Sequence, residues 1–186
     1  MGAALDLVPI GEVDSDSLRG VADRLGKQGF EPALRAPAEG VRALLGPGAT
    51  RLQAQLAIPA LRAHKGAHVL GVTEVELSDG LRPFVFGMGE VNGRCAVFSL
   101  AQFRRGGLAG GQTLDRYCAA VLHEFAHNVG MVHCRNKGCL MHATHEPAAL
   151  RQLDLSFCPS CRREWLRRIR AAPPPIARAA SARGRR

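Results

Sequence analysis

Residues 123–133 read HEFAHNVGMVH, and the helix carrying the first half of this run organises the rest of the chain. Leu114, Tyr117, Cys118, Val121, Leu122 and Phe125 recur at i, i+3, i+4, i+7, i+8 and i+11. That is one apolar stripe at the helical period, with Thr113 as the expected N-cap. At about 100° per residue, His123 and His127 project within about 40° of each other, away from the stripe. Ala119 and Ala120 lie near that side and are small enough to leave room for a cleft. A helix of this kind packs by one face and offers two imidazoles on the other.

Two histidines one turn apart can hold a single zinc ion through ring nitrogens at about 2.0–2.1 Å. Glu124 is rotated by about 100° from His123, so it need not bind metal and can serve an attacking water as general base. Gly130 tolerates left-handed dihedrals, so the helix can stop there and turn sharply. His133 can then swing back as a third ligand. Three protein ligands with one position left open is the usual arrangement of a catalytic zinc. The plain alternative is three surface histidines on an ordinary amphipathic helix. It leaves the shared face, the glutamate and the glycine unexplained.

Cys134 and Cys139, then Cys158 and Cys161, form two short pairs with chelating spacing. Such pairs suit a zinc site. Disulfides or inert thiols are the alternative, disfavoured in the reducing compartment expected here. Cys95, in an expected strand, and Cys118, on the apolar stripe, read as core packing. His142 and His145 are expected to be exposed or to stand behind the ligands. His64 and His68 read as ordinary surface residues.

The chain has 186 residues, 46% of them hydrophobic and 22% charged. It can bury one sizeable core, and a domain over 1–170 with a disordered basic tail over 171–186 is expected. Eight of the nine net positive charges lie after Cys161. The basicity therefore belongs to the C-terminal region, where it supports only non-specific contact with phosphate backbones. No secretory leader is expected at the N-terminus, and no apolar run reaches the ~18–20 residues of a membrane helix. A monomer in the cytoplasm is the expectation.

Strands and helices alternate through the first hundred residues. Strands are expected over 5–10, 30–35 and 67–77, and helices over 18–27, capped by Ser15 or Asp16, and over 50–63, disturbed by Pro59. Residues 84–91 and 95–100 flank Asn92-Gly93, a strong hairpin signal. Glycines 106, 107, 110 and 111 lead flexibly into the histidine helix.

The run 123–133 resembles the metzincin zinc peptidases, and the residues after it narrow the resemblance to the archaemetzincins. Their pattern has a cysteine directly after the third histidine, another five positions on, a methionine two further, and later a CxxC. Here those are Cys134, Cys139, Met141, Cys158 and Cys161; 16 residues separate Met141 from Cys158, one fewer than in the family pattern. The resemblance implies an α/β (α+β) fold, a metzincin-like mixed β-sheet with flanking helices, an active-site helix and a small zinc-stapled C-terminal part. It implies two zinc ions per chain. One is catalytic, on His123, His127 and His133; the other is structural, on the four cysteines, and closing it would also fix His133 beside Cys134. Met141 would be the methionine turn beneath the catalytic metal. The implied activity is hydrolysis of peptide bonds in a peptide or protein substrate, bound along an edge strand within 84–100.

Two other readings share some of these residues. A zinc-bound domain that captures peptides or partners without cleaving them has no need of Glu124. A zinc-ribbon-like nucleic-acid module would account for the cysteines and the arginines, but not for HEFAHNVGMVH.

Overall fold

The computed structural model describes residues 3–82, 84–90, 92–101, 111–142 and 156–171. The strands are β1 (Ala3–Ile10), β2 (Phe30–Leu34), β3 (Arg51–Gln53), β4 (His68–Thr73), β5 (Glu76–Ser78), β6 (Gly87–Gly89) and β7 (Cys95–Ser99). The helices are α1 (Ser15–Lys27), α2 (Glu39–Arg42), α3 (Ala54–Leu61), α4 (Gly111–Asn128) and α5 (Pro159–Arg170).

The main sheet has the order β2-β1-β4-β7-β6. Its first four strands are parallel, and β6 runs antiparallel to β7 at one edge. Alternate residues feed two separate cores. Leu5, Leu7, Leu70, Val72, Ala96 and Phe98 meet α1 and α4 on one face. Val8, Ile10, Val69 and Val97 meet residues of α2 and α3 on the other. Burial on both faces is why the central strands are apolar almost throughout, as parallel strands under helices must be. The mixed sheet and its flanking helices match the expected fold class.

Helix α1 buries Leu18, Val21 and Leu25 and ends before Gly29, whose φ of 101° only glycine adopts readily. Its cap is Asp14 rather than Ser15 or Asp16, with the carboxylate accepting the Ser17 N–H at 2.8 Å. The expected hairpin forms as β6–β7, with Asn92 at φ 53° in its turn. β6 is much shorter than the expected strand.

Several expectations are corrected. The strand over 67–77 is two strands: β4 stays in the main sheet, and β5 leaves to pair with β3 in a separate two-stranded sheet. The departure is fixed by Ser99 Oγ, which donates to the Val75 carbonyl at 2.6 Å. The helix over 50–63 begins as β3 and becomes helical only from Ala54. Thr113 lies within α4, which starts at Gly111, rather than capping it. Helix α5 went unanticipated, although Cys158-Pro159 is a good helix opening and Trp165 and Ile169 are spaced one turn apart on its buried face. Five of the nine arginines after Cys161 belong to this helix, so the basic segment is in part structured. Glycines 106, 107 and 110, His145 and the tail from residue 172 lie outside the described residues.

Candidate active site

Helix α4 is buried more completely than one apolar stripe requires. Besides Tyr117, Cys118, Val121, Leu122 and Phe125, its Ala119, Ala120 and Ala126 are also buried. Small residues on the second side let the helix sit close to its neighbours, and His123 is itself 8% exposed. His127 is half-buried and His133 exposed, so the histidine cluster opens outward from the core.

The helix stops where the sequence said it would. Gly130 takes φ 84°, its N–H bonds the His127 carbonyl at 2.9 Å, and the Met131 N–H bonds the Ala126 carbonyl at 2.9 Å. This is a glycine-terminated helix end that reverses the chain. The reversal brings His133 back: its Nε2 lies 3.2 Å from His127 Nε2, which lies 3.2 Å from His123 Nε2.

The other ring nitrogens explain why these contacts call for a cation. His123 Nδ1 lies 2.7 Å from the Leu140 carbonyl, and His127 Nδ1 lies 2.9 Å from the Met131 carbonyl. A carbonyl can only accept, so each Nδ1 carries the proton, and in the neutral ring this leaves the lone pair on Nε2. Lone pairs facing one another across 3.2 Å repel, and a metal ion between them relieves that repulsion. Nitrogens bound to one tetrahedral zinc lie about 3.3–3.4 Å apart, so the cluster fits the ion. The two carbonyls also fix ring orientation, as partners behind metal ligands do.

Glu124 is half-buried next to this cluster, and desolvation raises its carboxyl pKa against the opposing pull of His127 and Arg82. It is not part of the three-histidine ligand set.

Cys134, Cys139, Cys158 and Cys161 form the second cluster, with all four sulfurs within 4.8 Å of one another. None is in a disulfide. Cys134 and Cys158 Sγ stand 3.9 Å apart, close to the ~3.8 Å edge of a tetrahedral zinc–thiolate site. Backbone N–H groups point at the sulfurs, from Asn136 to Cys134 at 3.5 Å and from Cys158 to Cys139 at 3.3 Å. The Cys158 thiol is pulled down to about 6, chiefly by the Ser160 hydroxyl. Burial and neighbouring sulfurs push Cys161 up. Four thiolates cannot share this space without a cation to neutralise them.

The two clusters share a segment of backbone. His133 precedes Cys134, whose N–H bonds the Met141 carbonyl at 2.7 Å, while Leu140 carries the carbonyl that orients His123. Met141 is fully buried beside these groups. His142 is half-buried, with Nδ1 3.1 Å from the Cys134 carbonyl.

Cys95 and Cys118 are core thiols as expected, pushed up to about 11 and about 12 by burial. Tyr117 is buried against Phe98, their rings 4.9 Å apart. His68 is corrected: it is 2% exposed, not a surface residue, and packs edge-on to Phe30 and Phe125.

Asn128, the last residue of the histidine helix, makes a contact the sequence did not disclose. Its side chain donates to the Cys95 carbonyl at 2.8 Å, and its Oδ1 would lie 1.7 Å from a Cβ on Gly89. The hairpin edge thus docks on the histidine helix through a contact that only glycine at 89 permits.

A mixed sheet packed on a helix that supplies two of three converging histidines is an arrangement that can hold one metal ion. The chain belongs to Peptidase family M54, whose model matches residues 61–168. Among its relatives, the protein named Archaemetzincin from Methanocaldococcus jannaschii is 35% identical over 97 residues, 50% of this chain and 54% of that one. Its namesake from Haloarcula marismortui is 28% identical over 177 residues, 87% of this chain and 99% of that protein. The chain thus aligns with about half the length of the first relative and nearly all of the second. Crystal structures of archaemetzincins share the fold. That from Methanopyrus kandleri has a TM-score of 0.74 at 22% identity, covering 91% of this chain and 97% of its own. That from Archaeoglobus fulgidus has a TM-score of 0.71 at 23% identity, covering 87% and 99%.

Proposed function

We propose that this chain hydrolyses peptide bonds with His123, His127 and His133 as ligands of a catalytic zinc ion and Glu124 as general base. The reading is carried by the convergence of the three Nε2 atoms while two of the rings commit Nδ1 to carbonyls. Zinc held there supplies a Lewis acid for the scissile carbonyl and acidifies water. Glu124 takes a proton from the attacking water as its oxygen bonds to the carbonyl carbon. It then passes that proton to the amine nitrogen as the carbon–nitrogen bond breaks. Leu140 and Met131, through their carbonyls, hold His123 and His127 in the tautomer whose lone pair is on Nε2.

The four cysteines hold a second, structural zinc, which makes two ions per chain. Met141, fully buried, is the methionine turn of a metzincin-type centre. The substrate is an extended peptide pairing with the outer edge of β6, the antiparallel margin of the sheet. The peptidase domain spans 1–170 and the remainder is a basic tail. The protein acts as a cytoplasmic monomer; among the described residues no helix is long and apolar enough to cross a membrane.

Glu124→Gln tests this reading. The variant retains two zinc ions by elemental analysis and loses cleavage of a quenched-fluorescence peptide library that the parent hydrolyses. Cleavage at the parent rate would exclude Glu124 as the base. His127→Ala and Cys158→Ser each lose one ion, from different clusters.

A further inference from the structure

Helix α5 runs from the cysteine cluster to the end of the histidine helix. Cys158 is its N-cap and Cys161 lies in its first turn. Trp165, fully buried, stacks on Phe157 with centroids 5.2 Å apart and donates from Nε1 to the Gln28 carbonyl at 3.3 Å. One turn further, Arg168 Nη1 donates to the Val129 carbonyl at 2.8 Å. Its Nε is bonded to Glu164, which aims the guanidinium.

Val129 is the first residue past α4, and the turn it begins sets two ligands. Met131, two residues on, supplies the carbonyl that orients His127, and His133 comes next but one. Gly130 between them is gripped from both sides: a Cβ there would stand 2.5 Å from Arg168 Nη1 and 2.4 Å from Asn92 Oδ1. A cation at a helix C-terminus also complements the helix dipole.

We propose that Arg168 is a positioning residue through which the cysteine-stapled helix holds the Val129–Gly130 turn, so that closing the cysteine cluster strengthens metal binding at the histidine cluster. The inference rests on the reading of His123, His127 and His133 as a metal site. Arg168 is not one of the seven candidate ligands. It restricts the turn to the geometry that aims His127 and His133, and α5 is held in place by Cys158 and Cys161. Two metal sites joined by one rigid element are coupled.

Titration of the metal-free, reduced full chain with cobalt(II) tests it. Thiolate-to-cobalt charge-transfer absorption reports the cysteine cluster, and competition with a chelator reports the second equivalent. Arg168→Met is expected to leave the cysteine titration at parent affinity and to weaken the second equivalent about tenfold, the low end for partners behind metal ligands. Arg168→Lys, which keeps charge without the fork, falls between. Ile169→Val, which loosens α5 away from the turn, lowers thermal stability without moving the second affinity. Cys161→Ser should weaken the histidine site more in the parent than in the Arg168→Met background. Unchanged binding of both equivalents by Arg168→Met, or equal weakening of both, overturns the proposal, as do additive penalties in the cycle. The Arg168 arm decides alone if Cys161→Ser does not fold. If His127→Ala retains the second equivalent, the metal-site reading itself has failed instead.

Discussion

Lowering the pH should weaken this fold through one buried ring. His68 is enclosed by Phe30 and Phe125, and burial lowers its pKa from 6.5 to about 4. A folded pKa below the unfolded one means that the unfolded chain binds the proton more tightly. Stability is therefore whole above about pH 6.5 and lost as pH falls toward about 4. The full difference is about 3 kcal/mol, of which about 2 kcal/mol is already lost at about pH 5. Metal release also destabilises acidified protein, so the comparison must cancel it. His68→Leu removes the titrating group at similar volume, and urea unfolding of parent and variant at about pH 7.5 and about pH 5 isolates the difference. The parent should lose about 2 kcal/mol more than the variant between the two conditions. Parallel losses would show that His68 pays no penalty for charging in the folded state, and the argument from burial would fail.

Gly130→Ala puts a Cβ at φ 84° against Arg168 and Asn92. The left-handed backbone alone costs about 1–2 kcal/mol, and a fall in thermal midpoint together with reduced zinc content is expected; unchanged values of both would refute the turn's role. Trp165→Ala removes the largest fully buried side chain, and a loss of about 3–5 kcal/mol in denaturant unfolding is expected. A loss under about 1 kcal/mol would mean that α5 is not part of the core.

The histidine helix was legible because its chemistry is periodic: ligand spacing, apolar stripe and terminating glycine all lie within twenty residues. The four cysteines were legible for the same reason, as short pairs. What escaped depends on contacts distant in sequence. Nothing near Val75 announces that Ser99 will pull the chain out of the main sheet, so one valine-rich run read as one strand. His68 looked like a surface residue because the aromatic rings around it come from β2 and α4. Asn128 sits between two metal-site landmarks in the sequence, yet its role appears only when Gly89 of the hairpin arrives beside it. Helix α5 was obscured by its arginines, which read as solvated charge although Arg162 and Arg168 bond Gln28 and Val129.

Every strand described ends by Ser99, whereas all seven candidate ligands come after residue 122. On the ribosome the sheet's residues emerge before any of the seven candidate ligands. The strand order is then set by burial and backbone pairing within the sheet's own residues, without help from the candidate ligands. Chains made without metal are expected to carry a finished sheet and an unset turn between the two clusters.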